Sequence, residues 1–190
     1  MLFLSTETVP QNNNLRMEDI MKHNTIYRLS LAGLLTALAV VGSFVSIPIG
    51  GSKCAPVQHM VNIFGAVLLG PLWNVGIAFT ASLLRNLLGL GSLMAFPGSM
   101  IGALCCGVAY RLLPNLLLTC TAEALGTGLL GGLAAYPIAK FLMNLNITGT
   151  FIYVMPFFIS TTVGSALAFT LLILLQKGGV LANMKGAFKR

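Results

Sequence analysis

Long apolar runs, separated by short polar or glycine- and proline-containing stretches, make up most of the chain after residue 27. Six such runs are present, at residues 28–47, 56–70, 71–88, 98–113, 115–139 and 151–176. A helix needs about 20 apolar residues to cross the hydrocarbon core of a membrane, and near-continuous hydrophobicity is typical of such helices. The strands of a membrane barrel would instead alternate apolar and polar side chains. The pattern predicts an all-α, polytopic membrane protein with six transmembrane helices.

The second run is short, and the pair Gly70-Pro71 separates it from the third. Proline interrupts a helix interior but suits the first turn, where its missing N–H would have no intrahelical partner. We therefore predict that Pro71 opens the third helix and that the second and third helices form a tight helical hairpin.

Composition agrees with a membrane protein rather than a soluble domain. Of the 190 residues, 56% are hydrophobic and 8% are charged, and the mean hydropathy is +0.89. The net charge of +7 is compatible with nucleic-acid binding, but the basic residues lie mostly at the ends of the apolar runs. That placement is typical of membrane topology signals. We predict contact with membrane lipid and no nucleic-acid binding.

The distribution of Lys and Arg sets the predicted orientation, because these residues are enriched in cytoplasmic segments. With the N-terminus inside, only Lys53 and Lys140 lie outside, and Arg85 lies within a run. The other eight basic residues lie on the cytoplasmic side: Arg16, Lys22, Arg28, Arg111, Lys177, Lys185, Lys189 and Arg190. We predict a multi-pass protein of the inner or plasma membrane of a prokaryotic cell, with both termini cytoplasmic.

The same pattern divides the chain into three parts. Residues 1–26 form a polar cytoplasmic tail, residues 27–176 a six-helix substrate-binding domain, and residues 177–190 a basic cytoplasmic tail. Met17 and Met21 are alternative start sites, and either would make the residues before it a dispensable tail.

Two charged residues interrupt the apolar runs, Arg85 in the third and Glu123 in the fifth. A charged side chain at the centre of a membrane helix costs about 2.5–3.5 kcal/mol on insertion scales, so each needs a physical reason. One hypothesis makes both part of a solute site, or makes each the neutralising partner of the other. The alternatives are that Arg85 snorkels to the nearby outer surface and that Glu123 is a protonated or paired structural acid.

Polar residues also gather where the second helix begins. Gln58 and Asn62 are four residues apart and share a helix face, with His59 beside them, and Asn86 follows Arg85. Amide and imidazole groups can supply donors and acceptors to a small polar ligand. The alternative is a helix end that contacts lipid headgroups.

Catalytic and metal-binding motifs are missing from the sequence. We find no phosphate-binding loop of the Walker type, no carboxylate cluster, no Ser/His/Asp set and no metal-ligand spacing among the four cysteines. We predict a protein that is not an enzyme, with no catalytic residues, no metal and no cofactor.

Three segments carry a resemblance to a known family: "IPIGGSKCAPVQHMVN", "LLGPLWNV" and "LLRNLLGLGSLMAFPGSMIGA". They resemble the ThiW family, the substrate-binding S components of energy-coupling factor (ECF) transporters. The resemblance runs from about Tyr27 to Gln176 and implies uptake of hydroxyethylthiazole, the thiazole precursor of thiamine.

The resemblance implies a six-helix vitamin-binding fold whose ligand lies near the outer surface, capped by the first and third outward loops. It implies three protein partners, a transmembrane coupling subunit and two ATPase subunits. Carried over to this chain, it indicates these substrate-binding residues: Gln58, His59, Asn62, Arg85, Asn86, Phe96 and Ser99. Phe96 would stack on the planar ring of the ligand; otherwise it plugs the loop against lipid.

In such families a small-xxx-small pattern on the first helix docks onto the coupling subunit. Gly33 and Ala37 fit that pattern, although Ala32 and Thr36 fit nearly as well. Two other hypotheses stay open for the whole protein. It is an S component for a different vitamin or precursor, or it is a structural membrane subunit with no solute site.

Overall fold

A computed structural model describes residues 11–49 and 52–187 of the chain. Apart from one short hairpin, the described residues form helices joined by short connections. The helices are α1 (Gln11–Val41), α2 (Pro56–Leu68), α3 (Pro71–Leu87), α4 (Ala95–Leu112), α5 (Leu116–Leu125), α6 (Gly132–Pro137), α7 (Val154–Lys177) and α8 (Val180–Ala187). A 3-10 turn, Gly42–Val45, extends α1, and π-helical turns at Gly126–Gly131 and Ile138–Leu142 join α5 and α6 into one helical stretch.

Four helical stretches are long and apolar enough to cross a membrane, namely Asn24–Val45, Ala95–Leu112, Leu116–Leu142 and Val154–Lys177. The prediction of a helical membrane protein is thereby confirmed. With 13 and 17 residues, α2 and α3 are shorter. At 1.5 Å per residue they measure about 20 and 26 Å, against about 30 Å for the hydrocarbon core. The count of six crossings therefore depends on these two helices.

The sequence correctly predicted the junction between the two short helices. Pro71 occupies the first turn of α3, and Gly70 before it has φ of 84°, a left-handed conformation that glycine adopts without strain. The chain thus reverses direction within three residues, and α2 packs against α3.

The short helix α2 lies at the centre of the bundle. It contacts α1, α3, α4, α5 and α7, and nine of its 13 residues are buried. Its Val61 and Ile63 are fully buried in apolar clusters, while its polar side chains are buried at the end where the helix begins. A helix enclosed by protein on all sides can be shorter than the membrane, because its ends need not meet lipid.

Ahead of α2, a two-stranded hairpin forms where the sequence predicted only an outward loop. Strand β1 (Ile47–Ile49) pairs antiparallel with β2 (Ser52–Cys54), with Pro48 opposite Lys53. This pairing is a local addition, and the fold keeps the predicted all-α class.

Glycines in the pattern Gly128-xxx-Gly132 on the stretch Leu116–Leu142 allow close helix contact. A Cβ atom on Gly128 would lie 2.6 Å from Cδ2 of Phe158, and one on Gly132 would lie 2.7 Å from Cα of Val154. Both contacts are with α7 or the residue that opens it, so the pattern serves packing within the chain.

The surface of the bundle is apolar and its interior holds polar groups. Leu34, Leu72 and Phe141 are 66%, 81% and 75% exposed, whereas Asn62 and Glu123 are 0% exposed. This distribution reverses that of a soluble protein and suits a bundle with lipid around it.

The helices extend into both predicted tails. α1 begins at Gln11, inside the predicted tail of residues 1–26, and residues 1–10 lie outside the described part. In the predicted tail of residues 177–190, Leu181 of α8 is buried in a cluster with Ile63 and Leu172, and Nζ of Lys185 donates to the hydroxyl of Tyr110.

Candidate ligand-binding site

A cavity lies at the end of the bundle where α2, α4 and α7 begin and α3 ends. About 370 Å³ of space lies between its atoms, part of it open to solvent. Its lining residues come from the hairpin, from α2, α3, α4 and α7, from the connections before α2 and α4 and from the π-helical turn after α5: Lys53, Ala55, Gln58, His59, Arg85, Ser92, Ala95, Gly98, Ser99, Thr127, Phe157 and Ser160.

A chain of hydrogen bonds connects the two intramembrane charges below this cavity. Nη1 of Arg85 donates to Oε1 of Gln58 at 3.4 Å, and Nε2 of Gln58 donates to Oδ1 of Asn62 at 3.4 Å. Nδ2 of Asn62 then donates to Oε1 of Glu123 at 3.0 Å. All four side chains are at most 2% exposed. The spacing of Gln58 and Asn62 on one turn of α2 creates the link, because residues four apart share a helix face.

Glu123 is the centre of the buried network. Its Oε1 accepts from Nδ2 of Asn62 at 3.0 Å, from Oγ1 of Thr127 at 3.0 Å and from Nδ1 of His59 at 3.1 Å. Three donors on one oxygen suit a carboxylate, which only accepts hydrogen bonds. Gly102 makes room for this group, because a Cβ there would lie 1.9 Å from Oγ1 of Thr127 and 2.7 Å from Oε2 of Glu123.

Arg85 and Glu123 do not pair directly. Oε1 of Glu123 lies 3.1 Å from Nδ1 of His59, and two amide side chains stand between Glu123 and Arg85. With 2% exposure, Arg85 lies inside the protein rather than reaching for the surface. Its buried Nε has no partner in the described part of the chain.

The remaining predicted residues have different positions. Ser99 lines the cavity, and its hydroxyl lies 2.8 Å from that of Ser82. Asn86 lies outside the lining; its Nδ2 donates to the carbonyls of Ser82 at 2.8 Å and Ser92 at 3.1 Å, which fixes the loop after α3. Asn62 lies one layer below the lining, in the network with Glu123.

Phe96 also lies outside the cavity lining. Its ring centroid is 5.7 Å from that of Phe79, which is 46% exposed, so the two rings pack together at the side of the bundle. The aromatic side chain that lines the cavity is Phe157 of α7. The interpretation of Phe96 as a ring-stacking residue thus lacks support from its position here.

Sequence reasoning missed several lining residues, above all Phe157 and Ser160 of α7. They are three residues apart on a helix face, but the run "VMPFFISTT" contains no charge and no amide to single them out. Ser160 is 3% exposed, and its hydroxyl has no partner in the described residues. The sequence indicated Lys53 only as a basic residue outside the membrane. In the structure it lines the cavity, and its Nζ donates to the carbonyl of Gly89 at 2.6 Å.

The arrangement can bind a small polar molecule, since donors, acceptors and an aromatic ring converge on one enclosed space. Among the residues that the structure describes, no group of three or more His, Cys, Asp or Glu side chains could hold a metal ion.

An apolar helical bundle around a small polar cavity is typical of membrane proteins that bind or transport solutes. Comparison with known families identifies which one. The model of ThiW, described as thiamine-precursor transporter protein, matches residues 29–178, so the chain belongs to the ThiW family. This confirms the resemblance found in the sequence, and a transporter family is consistent with a protein that is not an enzyme. No curated protein and no solved structure matches the chain.

Proposed function

We propose that this protein is the substrate-binding S component of an ECF transporter and that its ligand is hydroxyethylthiazole. The observation that carries the proposal is a cavity lined by buried polar groups without partners. Arg85 and Ser160 both line it, and Nε of Arg85 and the hydroxyl of Ser160 make no hydrogen bond within the described residues. A buried polar group without a partner costs about 1–3 kcal/mol, and a ligand in the cavity would recover that loss.

The charge balance around the cavity favours an uncharged ligand. The buried network contains one cationic and one carboxylate side chain, Arg85 and Glu123, and the two amides between them are neutral. A ligand with its own charge would need a counter-ion beyond these two, because a buried charge is stable only when it is paired. Lys53 is exposed at the edge and already donates to a carbonyl. Hydroxyethylthiazole is uncharged at neutral pH, whereas thiamine is a cation and the phosphate ester of the thiazole is an anion.

The chemistry of the cavity lining suits a small heteroaromatic alcohol. Phe157 supplies an apolar ring for the flat face of the ligand, and Arg85, His59 and Ser160 supply groups for its ring nitrogen and hydroxyl.

The proposed topology has six crossings, with both termini cytoplasmic and the cavity toward the outside. The bias of eight basic residues against two supports this direction. As crossings, α2 and α3 are short, but α2 is enclosed by five other helices, so lipid does not reach its ends. Under this topology the hairpin and the loop that contains Gly89 are the first and second outward connections, and both cover the site.

The proposed docking surface for the coupling subunit is a groove between α1 and α3. Gly33 and Ala37 are exposed there, next to Gly76 and Thr80 of α3. The alternative pair on α1 lines the same groove at greater depth: Ala32 and Thr36 are each 8% exposed, and Thr36 donates to the carbonyl of Ala32 at 2.8 Å. Small residues at a lipid-exposed groove allow another helix to approach closely. The partners proposed are one coupling subunit and two ATPase subunits.

Equilibrium binding of radiolabelled hydroxyethylthiazole to the purified full-length protein in lipid nanodiscs tests the proposal. We expect saturable binding that unlabelled hydroxyethylthiazole displaces and that thiamine and the thiazole phosphate displace poorly. Ser160→Ala should weaken binding by about tenfold, the value of one buried hydrogen bond. The matched control is Ser92→Ala: Ser92 also lines the cavity but serves Asn86 through its backbone carbonyl, which alanine retains.

Two results would contradict the proposal in different ways. Preference for thiamine or for the phosphate would keep a transporter but replace the ligand. Absence of saturable binding for every thiazole would favour a structural membrane subunit.

A further inference from the structure

The hydrogen-bond network under the cavity has a fixed direction because both of its ends have a single role. Arg85 at one end has only N–H donors, and the carboxylate of Glu123 at the other end has only acceptors. Neither end can reverse, so every group between them must accept from the arginine side and donate toward the carboxylate.

The two amides follow this direction without conflict. Gln58 accepts from Arg85 through Oε1 and donates through Nε2, and Asn62 accepts through Oδ1 and donates to Glu123 through Nδ2. Both residues are at most 1% exposed, so water does not compete for these groups. If either side-chain amide were rotated by 180°, its NH2 group would face the N–H donor on the arginine side of the network.

The same reasoning sets the proton on His59. Its Nδ1 lies 3.1 Å from Oε1 of Glu123, and a carboxylate oxygen can only accept there, so Nδ1 carries the proton. In neutral imidazole the other nitrogen, Nε2, is then an acceptor. His59 lines the cavity, and its Nε2 makes no hydrogen bond in the part of the chain that the structure describes.

We propose that this network gives the cavity a fixed polarity: Arg85 presents a hydrogen-bond donor to the ligand, and Nε2 of His59 presents an acceptor. The inference rests on the proposed function. It orients hydroxyethylthiazole with its ring nitrogen, an acceptor, toward Arg85 and its hydroxyl, the single donor of the molecule, toward His59. Glu123 acts here as a positioning residue that sets the tautomer of His59 without touching the ligand.

Two observations support these roles. Arg85 makes one hydrogen bond in the described chain, to Gln58, so most of its five N–H groups are available for a ligand. His59 has a side chain that is 10% exposed, between Glu123 on one side and the cavity on the other. A group held by a carboxylate through one ring nitrogen presents the second nitrogen in a fixed direction.

The tautomer is measurable without any ligand. The chain has two histidines, so the protein labelled at histidine ring nitrogens gives two sets of NMR signals, and His23→Gln assigns them. We expect His59 to show a protonated Nδ1 and an unprotonated Nε2. Glu123→Gln keeps an oxygen for the same three donors and should preserve that state. Glu123→Ala removes the acceptor, so the proton of neutral His59 should no longer be confined to Nδ1. A protonated Nε2 on neutral His59 in the wild-type protein would overturn the proposal regardless of what the protein binds.

The orientation is measurable with matched ligands. The methyl ether of hydroxyethylthiazole lacks the donor, and hydroxyethylthiophene lacks the ring nitrogen. We expect wild-type protein to bind each of them about tenfold or more weakly than hydroxyethylthiazole, because each leaves one buried group without a partner. In His59→Phe the preference for alcohol over ether should disappear, while the preference for thiazole over thiophene remains.

Arg85→Met should give the opposite pattern, with loss of the thiazole preference and retention of the alcohol preference. Arg85→Lys keeps a hydrogen-bond donor and should retain both preferences. It is the control in case Arg85→Met fails to fold. His23→Gln is the control for loss of the other histidine of the chain. If the two patterns are exchanged, the ligand lies the other way round and the proposal is wrong, while the proposed function stands. If His59→Phe and Arg85→Met each lost both ligand preferences equally, the proposal would also be wrong, because Arg85 and His59 would then not bind separate groups of the ligand.

Discussion

At the scale of single residues, the charge pair in the membrane is held by intermediaries rather than by contact. Arg85 and Glu123 are linked through Gln58 and Asn62, and each step is a hydrogen bond between buried groups. Removal of one member leaves its neighbours buried and unpaired, which costs more than the net value of the bond itself. The network is therefore sensitive to changes that alter its geometry without altering its charge.

Gly102 provides the sharpest residue-level prediction. In Gly102→Ala the new Cβ would lie 1.9 Å from Oγ1 of Thr127 and 2.7 Å from Oε2 of Glu123, so the carboxylate must move away from its three donors. We expect a loss of about 1–3 kcal/mol in stability, the usual result of overpacking, and ligand affinity reduced by at least tenfold. Thermal unfolding in detergent and ligand binding measure the two effects.

The control is Gly186→Ala in α8, where a Cβ meets nothing within 4 Å. This variant should unfold at the wild-type temperature or slightly above it, because alanine favours helix more than glycine does. If both alanine variants behaved alike, crowding at Gly102 would not be the cause.

At the scale of elements, the cavity and the groove between α1 and α3 are formed by different parts of the bundle. The hairpin β1–β2 reaches over the cavity edge, and Lys53 of β2 donates to the carbonyl of Gly89, just beyond α3, at 2.6 Å. The groove between α1 and α3 shares no lining residue with the cavity. The proposed solute binding and the proposed partner docking can thus be changed separately.

Lys53→Ala should release the hairpin from the loop after α3 and increase the rate of ligand dissociation. The contact is exposed and worth about 1 kcal/mol or less, so we expect an increase of up to roughly fivefold. The association rate should change little. The control is Lys140→Ala, because Lys140 also donates to a neighbour, the hydroxyl of Tyr136, but does not line the cavity. Pulse-chase dissociation of radiolabelled ligand distinguishes them, and equal rates for the wild-type and Lys53→Ala proteins would rule out the link as a cover.

Gly33→Leu should abolish transport and leave ligand affinity unchanged. Nothing lies within 4 Å of a Cβ at Gly33, so the larger side chain fits the isolated protein but fills the groove where a partner helix would approach. Uptake in cells and binding by the purified protein give the two readouts. Leu34→Ala is the control on the same helix turn, since Leu34 is 66% exposed and lies outside the groove. Normal uptake by Gly33→Leu would place the docking surface elsewhere.

At the scale of the whole molecule, orientation is set by weak signals summed over the chain. No single basic residue determines it, but eight against two gives a consistent bias. The bundle contributes one further feature, since the polar cavity opens at the end opposite α8 and the basic residues near it, Lys177 and Lys185.

Cysteine labelling of intact cells tests the orientation. In a Cys54→Ser background, Thr148→Cys in the exposed connection before α7 should react with a membrane-impermeant maleimide, and Asn183→Cys in α8 should react only after the cells are opened. The reverse pattern would invert the topology and place the cavity on the cytoplasmic side.

Much of the architecture follows from local properties that the sequence alone determines. Apolar runs form helices in a membrane because the backbone must satisfy its own hydrogen bonds, and Pro71 begins a helix because its ring suits only the first turn. The same local reasoning identified Gln58, His59 and Asn62 as a set, since they share one turn of α2. It also marked Arg85 and Glu123, because a charge among apolar residues needs a partner.

Only the tertiary structure decided how these groups meet. Asn62 and Glu123 are 61 residues apart, and their contact depends on how α2 and α5 pack, which no local pattern encodes. Packing also placed Phe157 and Ser160 of α7 in the cavity and Phe96 beside Phe79, although the sequence around each is equally apolar. The physical reason is that a helix in lipid can be apolar on every face, so its hydrophobicity does not reveal which face turns inward.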